Sequence, residues 1–128
     1  MYSLQSYVSQ GLLTILIVVS LGSSTSFSAD FEKGLAAFHN GDYATALREW
    51  TPLAEQGYAS AQFNLGLMYY HGDGVPQDPV YAYMWWQIAA TSGHKDASTN
   101  RDIVAKSMTP AQIEKAQDLA RQCVAKKY

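Results

Sequence analysis

Residues 42–61, DYATALREWTPLAEQGYASA, align without gaps with residues 78–97, DPVYAYMWWQIAATSGHKDA, and this internal similarity decides the fold. At the offset of 36 residues, six of the twenty positions are identical. A fixed period of roughly 20 to 50 residues is typical of repeat proteins, in which each copy is one supersecondary unit. The sequence therefore predicts a short array of repeats. The identical pairs are Asp42 and Asp78, Ala46 and Ala82, Trp50 and Trp86, Ala54 and Ala90, Gly57 and Gly93, and Ala61 and Ala97.

The spacing within each copy indicates α-helices. Ala46, Trp50 and Ala54 follow one another at intervals of four residues, which places them on one face of a helix. Small residues on this face let a neighbouring helix approach, and the indole of Trp50 fills the space beside them. Asp42 supplies an N-cap for this helix and Gly57 supplies a stop.

Capping signals and apolar spacing together predict six helices after residue 30. Asp78 followed by Pro79 opens one of them, and Thr109 with Gln112 forms a capping box at the start of the last. No segment alternates with period two beside a hairpin turn, so the predicted fold class is all-α. The predicted helices span about 31–40, 43–56, 59–70, 79–92, 95–106 and 110–125. Their expected inner faces include Ala61, Leu65, Met68 and Tyr69 in the third helix, and Ile113, Ala116 or Gln117, Ala120 and Val124 in the last.

The repeated positions resemble the Sel1-like repeat, a family related to the tetratricopeptide repeat (TPR). Gly34 and Ala46 are 12 residues apart, as in a TPR, whereas Gly66 and Ala82 are 16 apart because residues 73–76 lengthen the turn. This longer turn, with its Gly-x-Gly-Val sequence, favours the Sel1-like repeat over a plain TPR. Over residues 31–104 the matching positions include Ala46, Trp50, Ala54, Gly57, Ala61, Leu65, Gly66, Tyr69, Gly72, Gly74, Ala82, Trp86, Ala90, Gly93 and Ala97.

The resemblance implies a short right-handed α/α solenoid of Sel1-like or TPR-like helix pairs, whose concave face binds a partner protein and whose C-terminal helix is a cap. The second copy is expected to be degenerate, because Arg101 and Asp102 stand 36 residues beyond Leu65 and Gly66. The predicted units are a first half-repeat helix at 29–41, a first repeat at 42–77, a second repeat at 78–107 and the capping helix at 108–128.

The first 28 residues differ in composition from the rest of the chain. They contain no Asp, Glu, Lys or Arg, and all twenty charged side chains lie from Asp30 onward. An apolar run at 12–19 is followed by small residues at 22–26, which is the order found in secretory signal peptides. We therefore predict a signal peptide at 1–28, cleaved after Ser28, and a periplasmic or secreted protein with no stable membrane insertion afterwards.

Two alternatives for this segment stay open. Residues 2–8 extend the apolar run toward the length of a membrane span, so an uncleaved N-terminal anchor is one of them. A buried core helix is the other. The start of the chain also lacks the Lys or Arg of a usual signal peptide, and only the α-amino group of Met1 supplies positive charge there.

Charge and motifs argue against several classes of function. The formal net charge is −2 and no cluster of Lys and Arg occurs, which argues against nucleic acid as a partner. His39, His71 and His94 are each predicted at a helix end or in a turn, and none has the spacing of a zinc motif. No Gly-x-Ser-x-Gly, Ser-x-x-Lys, Walker or EF-hand pattern is present. Cys123 is the single cysteine and is expected to be a small packed residue. We therefore expect no catalytic residue, no metal and no cofactor.

Aromatic residues beyond the repeat positions are the candidates for binding. Nine Tyr and three Trp occur in the chain. Trp50 and Trp86 are predicted to fill equivalent core sites, whereas Trp85 is predicted outside the core, about 100° around the helix from Trp86. Packing under the cap or against a neighbouring copy is an open alternative for such residues. With the geometry that the family implies, the partner-binding residues on the concave side are Phe63, Leu67, Tyr70 and His71, with Trp85 as an outlying contact.

These observations predict an exported, non-enzymatic adaptor or scaffold that binds a protein or peptide on the solenoid surface. A small cell-envelope hydrolase, or an accessory domain of one, is the alternative from a different class. Self-association of a short stack is a further alternative, because about three repeats are needed for independent stability and this chain has two and a half plus a cap.

Overall fold

The structure, a computed structural model, describes residues 28–127, and every regular element in that range is an α-helix. The all-α class predicted from the sequence is confirmed, and each helix ends within about one residue of its predicted bounds. The predicted signal peptide falls on residues 1–28, of which 1–27 lie outside the described residues. The helices are α1 Phe31–His39, α2 Tyr43–Glu55, α3 Ala59–His71, α4 Pro79–Thr91, α5 Lys95–Ala105 and α6 Pro110–Ala125.

From α1 to α5 each helix packs against the next along the chain, and α6 folds back onto α4. Because α4 is covered by α3, α5 and α6, it is buried on most sides. Two buried clusters result, one around Trp50 and Leu65 and the other around Trp86 and Val104. The sequential pairing agrees with the expected repeat fold, while the right-handed course and the repeat boundaries stay predictions.

Side-chain caps begin the helices where the sequence predicts them. The carboxylate of Asp42 accepts the Thr45 N–H at 3.2 Å, and Asp78 accepts two N–H groups from the first turn of α4. The hydrogen bonds from the Thr45 side chain and backbone hold the pKa of Asp42 below its ordinary value, because they favour the charged carboxylate. Thr109 and Gln112 form the predicted capping box, with bonds of 3.2 and 2.9 Å.

The same tryptophan contact occurs twice, between α1 and α2 and between α3 and α4. Trp50 of α2 donates from indole Nε1 to the carbonyl oxygen of Phe31 in α1, at 3.1 Å. Trp86 of α4 donates in the same way to the carbonyl oxygen of Phe63 in α3, also at 3.1 Å. The two indoles are 1% and 2% exposed. We call each of these contacts a tryptophan clasp. The two clasps confirm the prediction that Trp50 and Trp86 fill equivalent core sites.

A glycine lies against each indole, three residues after the phenylalanine that accepts the hydrogen bond. A Cβ on Gly34 would fall 2.7 Å from Cδ1 of Trp50, and a Cβ on Gly66 would fall 2.5 Å from Cδ1 of Trp86. Since carbon atoms do not approach one another so closely, any larger residue would displace the indole. The clasp therefore requires the glycine as much as the tryptophan.

The two clasps differ in the length of chain that they close. Phe31 and Trp50 are 19 residues apart, whereas Phe63 and Trp86 are 23 apart. The additional residues form the longer turn between α3 and α4 that distinguishes the Sel1-like pattern. Gly74 in this turn has a φ of +71° and lies against the first turn of α2, so that a Cβ there would fall 2.6 Å from the nearest side-chain atom. The turn therefore packs back on the preceding helix pair.

The prediction that Trp85 lies outside the core is wrong. Trp85 is 7% exposed and belongs to the first buried cluster, and Glu49, 36 residues earlier, is 1% exposed. This repeat position therefore faces inward in both copies. Helix α4 also buries residues outside the face of Ala82, Trp86 and Ala90, because three helices cover it. Val124, predicted on the inner face of α6, is 43% exposed, and its neighbour Cys123 packs against the core instead.

We predict that Gly66→Ala destabilises the protein by about 1–3 kcal/mol, because the new methyl group displaces the Trp86 indole. In an ordinary helix interior the same change stabilises by about 0.5–1 kcal/mol, so the two effects have opposite signs. Urea unfolding followed by far-UV circular dichroism measures the difference, and Gly34→Ala should behave alike. A Gly66→Ala variant at least as stable as wild type would contradict the clasp.

For Trp85→Ala we expect a loss of about 3–5 kcal/mol, similar to that of Trp86→Ala, because each substitution leaves a void in the core. The same urea titration measures both variants. Ile103→Ala is the control, since Ile103 is 52% exposed and its truncation should cost about 1 kcal/mol or less. If Trp85→Ala unfolds at the same urea concentration as this control, the buried position of Trp85 is incorrect.

Candidate functional site

Three of the predicted contact residues lie on the side of α3 that faces α5. Phe63, Leu67 and Tyr70 are spaced by four and three residues, which aligns them along one helix face. The ring of Phe63 stacks on the imidazole of His94 at the start of α5, with 4.7 Å between centroids. Leu67 and Tyr70 line a cavity together with Ile103 of α5. The fold thus brings these residues together along one groove between two helices.

We call this feature the α3–α5 groove and define it by Leu67, Tyr70, His71, Asn100 and Ile103. Together with Trp86 of α4, these residues line a cavity of about 270 Å³. A second cavity of about 460 Å³ adjoins it, and Tyr70 and His71 border both. The second cavity is completed by Gln77, Pro79, Val104 and Ser107.

Apolar surface in the groove is open to solvent. Tyr70 is 38% exposed and Ile103 is 52% exposed. The Tyr70 ring lies edge-on to the imidazole of His71 at 5.0 Å and 5.6 Å from the ring of Trp86. These contacts orient the Tyr70 ring while part of it stays exposed. Aromatic side chains that are held in place at the surface are typical of protein-binding sites.

The lining of the groove contains neither acidic side chains nor Lys or Arg. None of the residues that border the two cavities is Asp, Glu, Lys or Arg. On α5, Arg101 and Asp102 pair with each other at 2.9 Å, and Arg101 also donates to the Gln87 side chain at 3.0 Å. A charged ligand group would therefore lose hydration in the groove without gaining a counter-charge.

The five predicted contact residues divide into three groups. Leu67, Tyr70 and His71 line the cavities. Phe63 packs against the second buried cluster, and its carbonyl oxygen receives the Trp86 hydrogen bond, so it supports the groove from one end. Trp85 is buried and lines neither cavity.

The contribution of α5 to the groove was not predicted. Asn100 and Ile103 complete the first cavity, and His94 covers the ring of Phe63. Only Ala97 and Val104 of α5 are buried. With so few apolar residues on one face, the spacing of residues in the sequence does not identify which side of α5 is covered. The one available signal was the Ile103-Val104 pair in an otherwise polar helix. Adjacent residues point about 100° apart, so a helix that is covered on one side does not bury both.

A second open surface lies between α2, α4 and α6, where Tyr81, Met84 and Cys123 contribute to the lining of a cavity of about 450 Å³. Burial, followed by the carboxylate of Glu55, raises the pKa of the Cys123 thiol, and Lys126 opposes this more weakly. A raised pKa keeps the thiol protonated at neutral pH, so Cys123 is not an activated nucleophile. Its packing against the core agrees with the role predicted for it.

Two buried polar side chains tie neighbouring helices together. Glu49 accepts the backbone N–H of Asp30 at 3.0 Å, and its other carboxylate oxygen lies 3.3 Å from the ammonium nitrogen of Lys33. Gln62 donates to the carbonyl oxygen of Ala54 at 2.9 Å. These contacts join α1 to α2 and α2 to α3, while Oε1 of Gln62 is buried without a hydrogen-bond partner.

Neither a metal centre nor a membrane span is found among residues 28–127. No three His, Cys, Asp or Glu side chains in this range come together in a way that would hold a metal ion. Helices long and apolar enough to cross a membrane are likewise absent from the described part of the chain.

Comparison with protein families gives a match to the part of the chain that contains the second clasp and the longer turn. The paired helices define an α/α repeat protein. Residues 59–94, which comprise α3, the longer turn, α4 and His94, match the family model of the Sel1 repeat. Residues 59–94 therefore contain a Sel1 repeat, the repeat that the sequence resembles.

A solved structure and two curated relatives share this similarity. The fold resembles the crystal structure of a protective antigen of uropathogenic Escherichia coli that displays an SLR fold, with a TM-score of 0.68 and 33% sequence identity. That match covers 76% of this chain and 22% of the antigen. DAP3-binding cell death enhancer 1 of rat and of mouse is 40% identical over 45 residues, which is 35% of this chain and 9% of each rodent protein. The chain thus spans a small part of the length of these proteins.

Proposed function

We propose that this chain is an exported, non-enzymatic binding module whose α3–α5 groove holds a segment of a partner protein. The observation that carries the proposal is the pair of adjoining cavities that are bordered by the exposed ring of Tyr70 and lined by no Asp, Glu, Lys or Arg. Sel1 repeats generally mediate protein interactions and are typically non-catalytic, which supports the same class of function. The rodent relatives are named for binding another protein, DAP3, although the similarity to them is limited to 45 residues.

The lining of the groove favours a particular chemistry in the partner. The first cavity is bordered by Leu67, Ile103 and the aromatic ring of Tyr70, so it suits an apolar side chain. The second is bordered by Gln77 and Ser107, which offer neutral hydrogen-bonding groups. A short segment with an apolar residue next to a neutral polar one therefore fits best, and acidic or basic segments fit poorly because they find no counter-charge.

A Tyr70→Ala, Ile103→Ser variant is expected to lose about 2 kcal/mol or more of binding free energy, roughly thirtyfold in affinity, because both exposed apolar contacts are removed. Pull-down from an envelope extract identifies the partner, and calorimetry with the purified partner measures the loss. Tyr81→Ala is the matched control, since Tyr81 is also 38% exposed but borders the α2–α4–α6 surface.

Two outcomes would contradict this assignment. Unchanged partner capture by a double variant that keeps its helical content would show that the groove is not the binding site, and loss in Tyr81→Ala alone would move the site to the other surface. Turnover of a β-lactam or a peptidoglycan fragment, abolished by a single polar substitution, would replace the adaptor by the hydrolase alternative.

Export is the part of the proposal that rests on residues 1–28. Their lack of charged side chains and their apolar run at 12–19 motivate it. N-terminal sequencing of the mature protein is expected to begin at Ala29, or within about two residues of it. Recovery of a chain with an intact Met1 from the membrane fraction would instead support the anchored alternative.

A further inference from the structure

The first turn of α5 is capped by an imidazole. His94 is the N-cap residue, and its Nδ1 accepts the backbone N–H of Ala97 at 3.2 Å. An imidazole nitrogen accepts a hydrogen bond only through a free lone pair, so this contact requires neutral His94 with its proton on Nε2. The side-chain caps of α1, α2, α4 and α6 use oxygen atoms of Asp30, Asp42, Asp78 and Thr109.

The oxygen caps and the imidazole cap respond differently to pH. Aspartate and threonine oxygens stay acceptors from about pH 5 to 8, whereas histidine is the side chain that ordinarily gains its charge in that range. A protonated His94 has no lone pair on Nδ1, so Ala97 would lose its acceptor. The new positive charge would also lie at the N-terminus of α5, where the helix dipole disfavours a cation.

The surroundings of His94 offer little to compensate that charge. Its ring stacks on Phe63 of α3, with an interplanar angle of 18°. Neither α3 nor α4, the helices beside it, contains an Asp, Glu, Lys or Arg, and their titratable side chains are His71 and tyrosines. On α5 itself Lys95 follows directly and Asp96 is the single acidic residue of the first turn, and both are exposed.

Loss of this cap is expected to weaken α5, because the helix is short and buries few of its residues. It has 11 residues, of which Ala97 and Val104 are buried. A helix of this length has little stability of its own in water and depends on its packing and its caps. The same helix supplies Asn100 and Ile103 to the α3–α5 groove, so a loosened α5 would alter the shape of the groove.

We propose that His94 makes the docking of α5 pH-dependent: protonation removes the N-cap, loosens α5 and disrupts one wall of the α3–α5 groove. The loosening of α5 is a property of the chain alone. Its consequence, that a bound segment is released on acidification, rests on the proposed function.

Hydrogen exchange of the full chain tests the proposal without any ligand. Exchange is measured by mass spectrometry at pH 7.5 and pH 5.5, and the rates are corrected for the intrinsic pH dependence of amide exchange. Protection of the α5 amides is expected to fall by about fivefold or more at pH 5.5, the effect typical of losing an N-cap, while α2 amides keep their protection. Equal protection of α5 at the two pH values overturns the proposal.

Histidine variants assign the response to one side chain. His94→Asn keeps an acceptor for the Ala97 N–H and does not titrate, so its α5 protection is expected to be the same at both pH values. His39→Asn and His71→Asn are the matched controls and are expected to keep the wild-type response. A pH response that persists in a folded His94→Asn variant, or disappears in His71→Asn, overturns the assignment.

Nitrogen NMR of wild-type His94 provides a test that requires no variant. At pH 7.5 the Nε2–H tautomer is expected, and the Nδ1–H tautomer would overturn the proposal because it cannot accept the Ala97 hydrogen bond. The hydrogen-exchange and NMR experiments contain no partner, so a negative result in either of them leaves the proposed binding function untouched. Failure of the groove variants to affect partner capture would likewise leave the pH response of α5 standing.

Discussion

The structure depends on the packing of an indole directly on the backbone of the preceding helix. In each clasp the tryptophan donates to a carbonyl oxygen and lies where a side chain of any residue larger than glycine would be. This contact sets how closely the two helices of a pair approach and how they are oriented. A buried indole N–H needs an acceptor, and the carbonyl provides it without a second polar side chain in the core.

The groove follows from the second clasp. Trp86 joins α4 to α3, contributes to the lining of the first cavity and lies 5.6 Å from the ring of Tyr70. The longer turn after α3 then places Gln77 and Pro79 at the second cavity. The same tryptophan is therefore both a core residue and the base on which the exposed aromatic surface is arranged. Substitutions in the core and in the groove are expected to influence one another for this reason.

The residues of the α3–α5 groove were predictable in part. Leu67, Tyr70 and His71 of α3 were predicted as contacts from the geometry that the family resemblance implies, and the structure places all three at the groove. The other wall was missed because α5 has few apolar residues and its Ile103 is exposed. His94 was recognised as a residue at a helix end, but its function as a cap depends on which ring nitrogen faces the Ala97 N–H.

The sequence by itself determined the helices, the caps of α2, α4 and α6, and the equivalence of Trp50 and Trp86. These features arise from residues within about four positions of one another, or from a repeat that is visible by alignment. Only the tertiary structure decided which remaining surfaces are covered. Trp85 is buried because α3, α5 and α6 together cover α4, and Val124 is exposed because α6 packs through other residues. Both outcomes depend on contacts between residues far apart in the chain. Helical periodicity identifies a face of a helix, but it does not say how many neighbours that helix will have.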